Sequence, residues 1–225
     1  MKKNKKYIVL SILFVVPLIF YIFLQIGTHN FGKLPIVTKD VIDVSNINKK
    51  YSFKDKISVV AFLGNDVDNA NGEIFNLNEK IYKKFYGYRD FQIIVFAEES
   101  QKAQIDKLKN KLGLYTDLIK WNFIVASKAE IEAIYESFKT ISSLDLKGHS
   151  SKAYLIDKEV ALRRGKSTIK SLEKTKLFGY NMKSVAELKN DMIDDIKVVF
   201  AEYNLALKKN NSDERRKNSI SNEKK

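Results

Sequence analysis

The chain contains no cysteine. That excludes disulfides, thiolate nucleophiles, iron–sulfur clusters and cysteine-held zinc or copper. Histidine is scarce: His29 and His149 are the only two. With two prolines and nine glycines in 225 residues, the composition marks no long disordered stretch before the final segment. Acidic residues are outnumbered, and the formal net charge is +13. Lys2, Lys3, Lys5 and Lys6 precede the first apolar run, and residues 208–225 hold seven basic and three acidic side chains. Between these ends lysine is mixed with aspartate and glutamate. No nucleic-acid-binding module accompanies the charge, so no nucleic-acid partner is expected.

Residues 7–26 (YIVLSILFVVPLIFYIFLQI) carry no charge. Some twenty apolar residues at about 1.5 Å each cover a hydrocarbon core of about 30 Å. The run is apolar all round, where a soluble helix would keep a polar face. Pro17 is tolerated in a membrane helix. The lysines ahead of the run predict a cytoplasmic N-terminus and an exported remainder, anchored in the inner (cytoplasmic) membrane with its domain periplasmic or extracytoplasmic. A cleaved signal peptide is the rival reading, but residues 25–30 (QIGTHN) make a poor cleavage site. The expected organisation is a basic cytoplasmic segment (1–6), a transmembrane helix (7–26), a linker (27–40), a domain (41–207) and a disordered basic tail (208–225).

Residues 57–63 (ISVVAFL) read as a buried strand. The polar loop 64–72 (GNDVDNANG) follows it. A β-hairpin is expected over 41–53, ahead of this strand. A helix is predicted over 73–86, with Ile74, Leu77, Ile81 and Phe85 in one stripe. A strand at 91–97 comes next, then a helix over 100–112 with Ser100 as its cap. A strand at 122–126 precedes a helix opened by a capping box at Ser127 and Glu130. Strands at 152–157 and 160–163 follow. Ser184 and Glu187 form a second capping-box pattern, opening a helix over 184–207. Strands alternating with helices imply right-handed crossovers and a largely parallel sheet, with a closing antiparallel hairpin. The expected fold is α/β, a thioredoxin-like mixed sheet flanked by helices and preceded by one transmembrane helix.

Two stretches resemble a known family. Residues 51–62 (YSFKDKISVVAF) look like the opening of membrane-anchored thioredoxin-fold domains. Residues 149–157 (HSSKAYLID) resemble the H-S/T-x-x-x-Y-L-I-D stretch of the SCO/SenC family, copper-handling assembly factors for cytochrome oxidase. The resemblance implies a membrane anchor, an exported thioredoxin-like domain, and copper bound by a C-x-x-x-C loop with a distant histidine. On this chain that loop falls at 65–69 (NDVDN), with both cysteines lost, and His149 alone matches. Imidazole among amides and carboxylates does not replace the soft thiolates that select Cu(I), and thiol–disulfide exchange is closed.

Asp66 and Asp68, with Asn69, offer oxygen ligands for a hard cation, yet Ala70 and Asn71 stand where a calcium loop needs an oxygen and a glycine. His149 reads as a hydrogen-bonded structural residue or as a weak metal ligand with Asp145 or the Asp66/Asp68 loop. Arg163, Arg164, Lys166 and Lys170 read as a solvated face, or as a site for an acidic partner or lipid headgroups. The expected function is non-catalytic, with no cofactor and no small-molecule substrate. The bilayer is expected to meet residues 7–26, and a membrane protein is the expected partner, in cytochrome oxidase assembly. The alternatives are a weak copper carrier using His149 and a structural envelope protein that docks through its C-terminal helix.

Overall fold

A computed structural model describes residues 2–26 and 32–204; the expected tail at 208–225 lies outside the described residues. The chain divides into two units at Gly32. The first contains helix α1 (Lys2–Ile26), with Pro17 inside it. Its described apolar side chains are exposed on all sides, Phe14 at 68% and Phe20 at 62% among them. Among the described residues no helix is long and apolar enough to cross a membrane. Within α1 the side chains are described without a gap only over residues 9–22.

The second unit is built on one mixed sheet. Its elements in chain order are β1 (Ile36–Thr38), β2 (Ile57–Gly64) and α2 (Asn71–Leu77). α2 runs on through a π-helical turn (Asn78–Tyr82) and a last turn (Lys83–Phe85). Then come β3 (Phe91–Glu98), α3 (Lys102–Gly113), β4 (Trp121–Ala126), α4 (Lys128–Ser137), β5 (Ser150–Ile156), β6 (Leu162–Arg163) and β7 (Tyr180–Asn181). Helix α5 covers 185–204, its first turns π-helical. The strand order is β1-β6-β5-β2-β3-β4, and β7 shares an edge of β5 with β6. β2, β3 and β4 are parallel, and β5 runs antiparallel to β2. Two crossover helices beside a parallel trio, closed by antiparallel strands and a last helix, make the sheet thioredoxin-like.

β2 is buried along its whole length because it is central and covered on both faces. Val59, Ala61 and Leu63 point into one core, with Ile93 and Val95 of β3 and Leu155 of β5. α2, α3 and α5 close that side through Ile74, Ile81, Leu108, Leu188, Met192 and Val199. Val60 and Phe62 point the other way, against Ile94 and Phe96, and meet Ile131 and Ile134 of α4 and Phe138, which ends it. The Phe62 ring touches four aromatic rings there, with centroids 5.2 to 5.9 Å away. α5 is therefore a core wall.

Three local expectations need correction. Residues 41–53 hold no strand. They form a 3₁₀ turn (Val44–Asn46) capped by Asp43, whose carboxylate also accepts from Ser52, Phe53 and Lys54. One short anion that satisfies four donors replaces a hairpin ladder. The first strand instead lies at Ile36–Thr38, inside the stretch read as linker, where it pairs with β6. Ser100 does not cap α3; a 3₁₀ turn (Glu99–Gln101) leads into it.

Candidate functional site

The sheet presents one break where chemistry is commonly placed: the end of β2, where strand passes into helix at the carboxyl edge. Register shifts interrupt β2 there against both neighbours, between Phe62 and Gly64 on β3 and between Ala61 and Phe62 on β5. Gly64 takes φ +51°, and a Cβ at that position would stand 2.1 Å from the Lys147 carbonyl oxygen. Only glycine permits this contact. It brings loop 65–70 against loop 145–149, with Asn65 N–H donating to the Lys147 carbonyl at 2.7 Å.

Loop 145–149 is wound around Asp145. Its carboxylate accepts from the Lys147 and His149 amides at 2.9 and 2.8 Å. The His149 ring then turns inward. Nε2 lies 2.8 Å from Glu73 Oε2, and Nδ1 lies 3.6 Å from Asp145 Oδ2. Glu73 sits in the first turn of α2 and is buried. Its other oxygen lies 3.3 Å from Lys183 Nζ. The hydrogen bond to Glu73 raises the His149 pKa above 6.5 despite the opposing effect of burial. The imidazolium is thus held as one half of an ion pair.

Asp66 and Asp68 part company. Asp66 accepts from Lys147 Nζ at 2.8 Å and from Asn69 Nδ2 at 2.7 Å, and the Lys147 hydrogen bond holds its carboxyl below the usual value. Asp68 is exposed, and its backbone carbonyl accepts from Asn71. His149 and Asp66 therefore border one place, each engaged with a different partner. Among the described residues no group of three or more histidine and carboxylate side chains is placed to hold a metal ion. Sequence reasoning missed Glu73, the counter-ion of His149. Its signal was a lone carboxylate in the first turn of a helix after a strand–loop break.

Arg163 and Arg164 are buried, at 4% and 2% exposure, and correct the reading of a solvated or docking face. Arg163 reaches Asp157 at 2.6 Å and Glu202 at 2.7 Å. Arg164 reaches Glu187, Asp191 and Asp195 on α5 at 3.2 to 3.3 Å, and its guanidinium lies 4.0 Å from the Tyr180 ring centre. Burial raises the Asp195 pKa above its usual value against the hydrogen bonds it accepts. At Asp191 burial is outweighed by hydrogen bonds from Ser167 and Thr168, and the pKa is lowered. This is an internal clamp rather than a binding surface.

No family model and no curated protein matches the chain. Among solved structures, a study of a disulfide switch in BsSco, a Sco-family cytochrome c oxidase assembly protein, gives 17% identity over 75% of this chain and 94% of that one, with TM-score 0.46. The soluble domain of Sco1 from Bacillus subtilis gives 19% identity over 75% and 95%, with TM-score 0.42. A putative electron transfer protein from Aquifex aeolicus VF5 gives 14% identity over 75% and 98%, with TM-score 0.45.

Proposed function

We propose that this chain is a single-pass membrane protein whose exported, cysteine-free thioredoxin-like domain acts by binding another protein. The observation that carries the reading is the pair of loops at the end of β2. They stand where such a sheet presents its chemistry, yet hold amides, carboxylates and the Lys147 amine paired with Asp66, with the one imidazole closed onto Glu73. Without cysteine there is no thiol–disulfide exchange, and the His149 Nε2 is engaged by Glu73 rather than by a hydroxyl it could activate. What remains is a shaped polar surface of Asn65, Asp66, Asp68 and Lys147 for recognition. The anchor reading is supported by the uncharged run 7–26 and by the all-round exposure of the apolar side chains described on α1.

The partner we propose belongs to a membrane respiratory complex of the cytochrome oxidase kind, on the resemblance of residues 149–157 to the SCO/SenC stretch. The test is co-purification of the tagged full chain from membranes, with oxidase activity measured in a deletion strain. Loss of assembled oxidase supports the role, and normal assembly removes it. Copper carriage by His149 is the competing reading. Titration of the chain and of His149→Ala with Cu(I) and Cu(II) separates the two. Tight stoichiometric binding that the substitution abolishes would replace recognition with metal transport.

A further inference from the structure

The end of the sheet opposite loop 65–70 carries a surface that the proposed function does not use. There the chain leaves α2 through residues 86–90 and approaches β4 through residues 114–120. The two connections are tied together. Lys120 N–H donates to the Tyr82 hydroxyl at 3.3 Å, and Lys120 Nζ donates to the Tyr88 carbonyl. The Tyr82 ring lies 5.4 Å from Trp121 and 5.9 Å from Tyr86. On this joined face Tyr86 is 53% exposed, Tyr88 46%, Leu114 80%, Tyr115 62% and Ile119 79%. Single exposed apolar side chains need no explanation, but a group of them does.

The charge around them is mainly basic. Lys84, Arg89 and Lys111 are exposed beside these side chains. Of the acidic groups in the two connections, Asp90 is taken by Lys158, which leaves Asp117. Tyrosines and aliphatic side chains flanked by lysine and arginine are the composition that settles in the headgroup layer of a bilayer. Each basic group near an anionic surface adds about 1 kcal/mol of attraction. We infer that this face rests on an anionic lipid surface, with Tyr86, Tyr88 and Ile119 entering the headgroup layer and Lys84, Arg89 and Lys111 meeting the phosphates. Since β2 and β3 run from this end towards loop 65–70, the docked domain presents that loop away from the lipid, open to a partner. The inference rests on the anchor reading only for keeping the domain beside a bilayer.

The experiment uses the full chain reconstituted into phosphatidylcholine vesicles, with and without phosphatidylglycerol. The absence of cysteine lets Ile119→Cys carry a single environment-sensitive fluorophore. Leu146→Cys, 98% exposed in the loop beside Gly64, carries the control. With phosphatidylglycerol, the label at 119 shifts to the blue and loses contact with an aqueous quencher, while the label at 146 does not change. Lys84→Glu with Arg89→Glu abolishes the shift, as does salt of about 0.5 M, where screening shortens charge attraction to a few ångströms. A label at 119 as wet as the one at 146 overturns the inference. So does shielding that appears only when membrane proteins are added, since that assigns the face to a protein partner. Flotation separates the two readings. A chain that floats in high salt, held by its anchor, but whose label at 119 stays unshielded on phosphatidylglycerol vesicles in low salt refutes this inference alone. For a chain that does not float, the anchor reading falls, and its salt-sensitive binding to phosphatidylglycerol vesicles, present or absent, still decides the inference.

Discussion

Replacing Arg164 by methionine tests whether α5 is held by charge as well as by its apolar face. Methionine keeps much of the stem and removes the guanidinium. Three α5 carboxylates then lose the cation 3.2 to 3.3 Å away, and the Gly179 carbonyl loses a donor at 3.1 Å. Asp191 keeps Ser167 and Thr168, and Asp195 keeps Tyr180 and the Gly165 amide, so the network is thinned rather than emptied. Breaking a buried ion pair from one side costs about 3–5 kcal/mol, because the anions stay in the dry interior. For a domain of this size that corresponds to a fall in Tm of roughly 6–20 °C. Urea unfolding and a thermal scan of Arg164→Met against the parent measure both. Adding Glu187→Gln and Asp191→Asn to Arg164→Met should return part of the loss, since the neutral groups no longer need a cation. A loss below about 1 kcal/mol, the figure for an exposed pair, refutes the clamp.

Other outcomes follow from the loops at the end of β2 and from Asp43. The folded pKa of His149 lies above its unfolded value, so the Glu73 pair contributes fully below about pH 6.5 and is lost as pH rises through the raised folded value. His149→Gln should flatten the fall in stability of the domain as pH rises above about 6.5, as read by denaturant midpoints. A slope unchanged by the substitution assigns the titration elsewhere. Gly64→Ala puts a methyl into the Lys147 carbonyl and an alanine at φ +51°, so it should cost at least about 1–2 kcal/mol from the backbone alone. It should also release the His149 loop, seen as loss of the raised His149 pKa by NMR titration. Asp43→Ala removes the acceptor for Ser45, Ser52, Phe53 and Lys54 and should cost about 1–3 kcal/mol by chemical unfolding. Asp43 is held below the ordinary carboxylate value: burial alone would raise it, and these hydrogen bonds outweigh burial. The contribution therefore persists above about pH 4 and disappears as pH falls through the lowered folded value.

What the sequence disclosed was the local part of the fold. The capping box at Ser127 and Glu130 forms as its spacing requires, because both partners lie within one turn. The matching pattern at Ser184 and Glu187 forms only by half. Ser184 Oγ accepts from the Glu187 amide at 3.2 Å, but the Glu187 carboxylate goes to Arg164 instead. A cation 23 residues away in sequence wins over a cap three residues away, and a local pattern cannot register that competition. The same distance hid the burial of Arg163 and Arg164, which neighbouring lysines disguised as part of a charge run. Their signal was present in α5: Glu187, Asp191 and Asp195 recur every four residues on one face, an acidic row that needs a cation opposite it. The strand–loop–helix break at the end of β2 was legible because it is a local feature. Glu73 escaped notice because its pairing with His149 spans 76 residues.

The clamp on α5 also sets an order of events during synthesis. Arg163 and Arg164 emerge before any of Glu187, Asp191, Asp195 and Glu202. Until those four acids arrive, Asp157 is the one of their five carboxylate partners already present. A chain stopped short of its final helix keeps two cations that its interior cannot accept. The sheet therefore waits on α5, and a nascent or clipped copy that lacks it is marked as unfinished by its own unmatched charge.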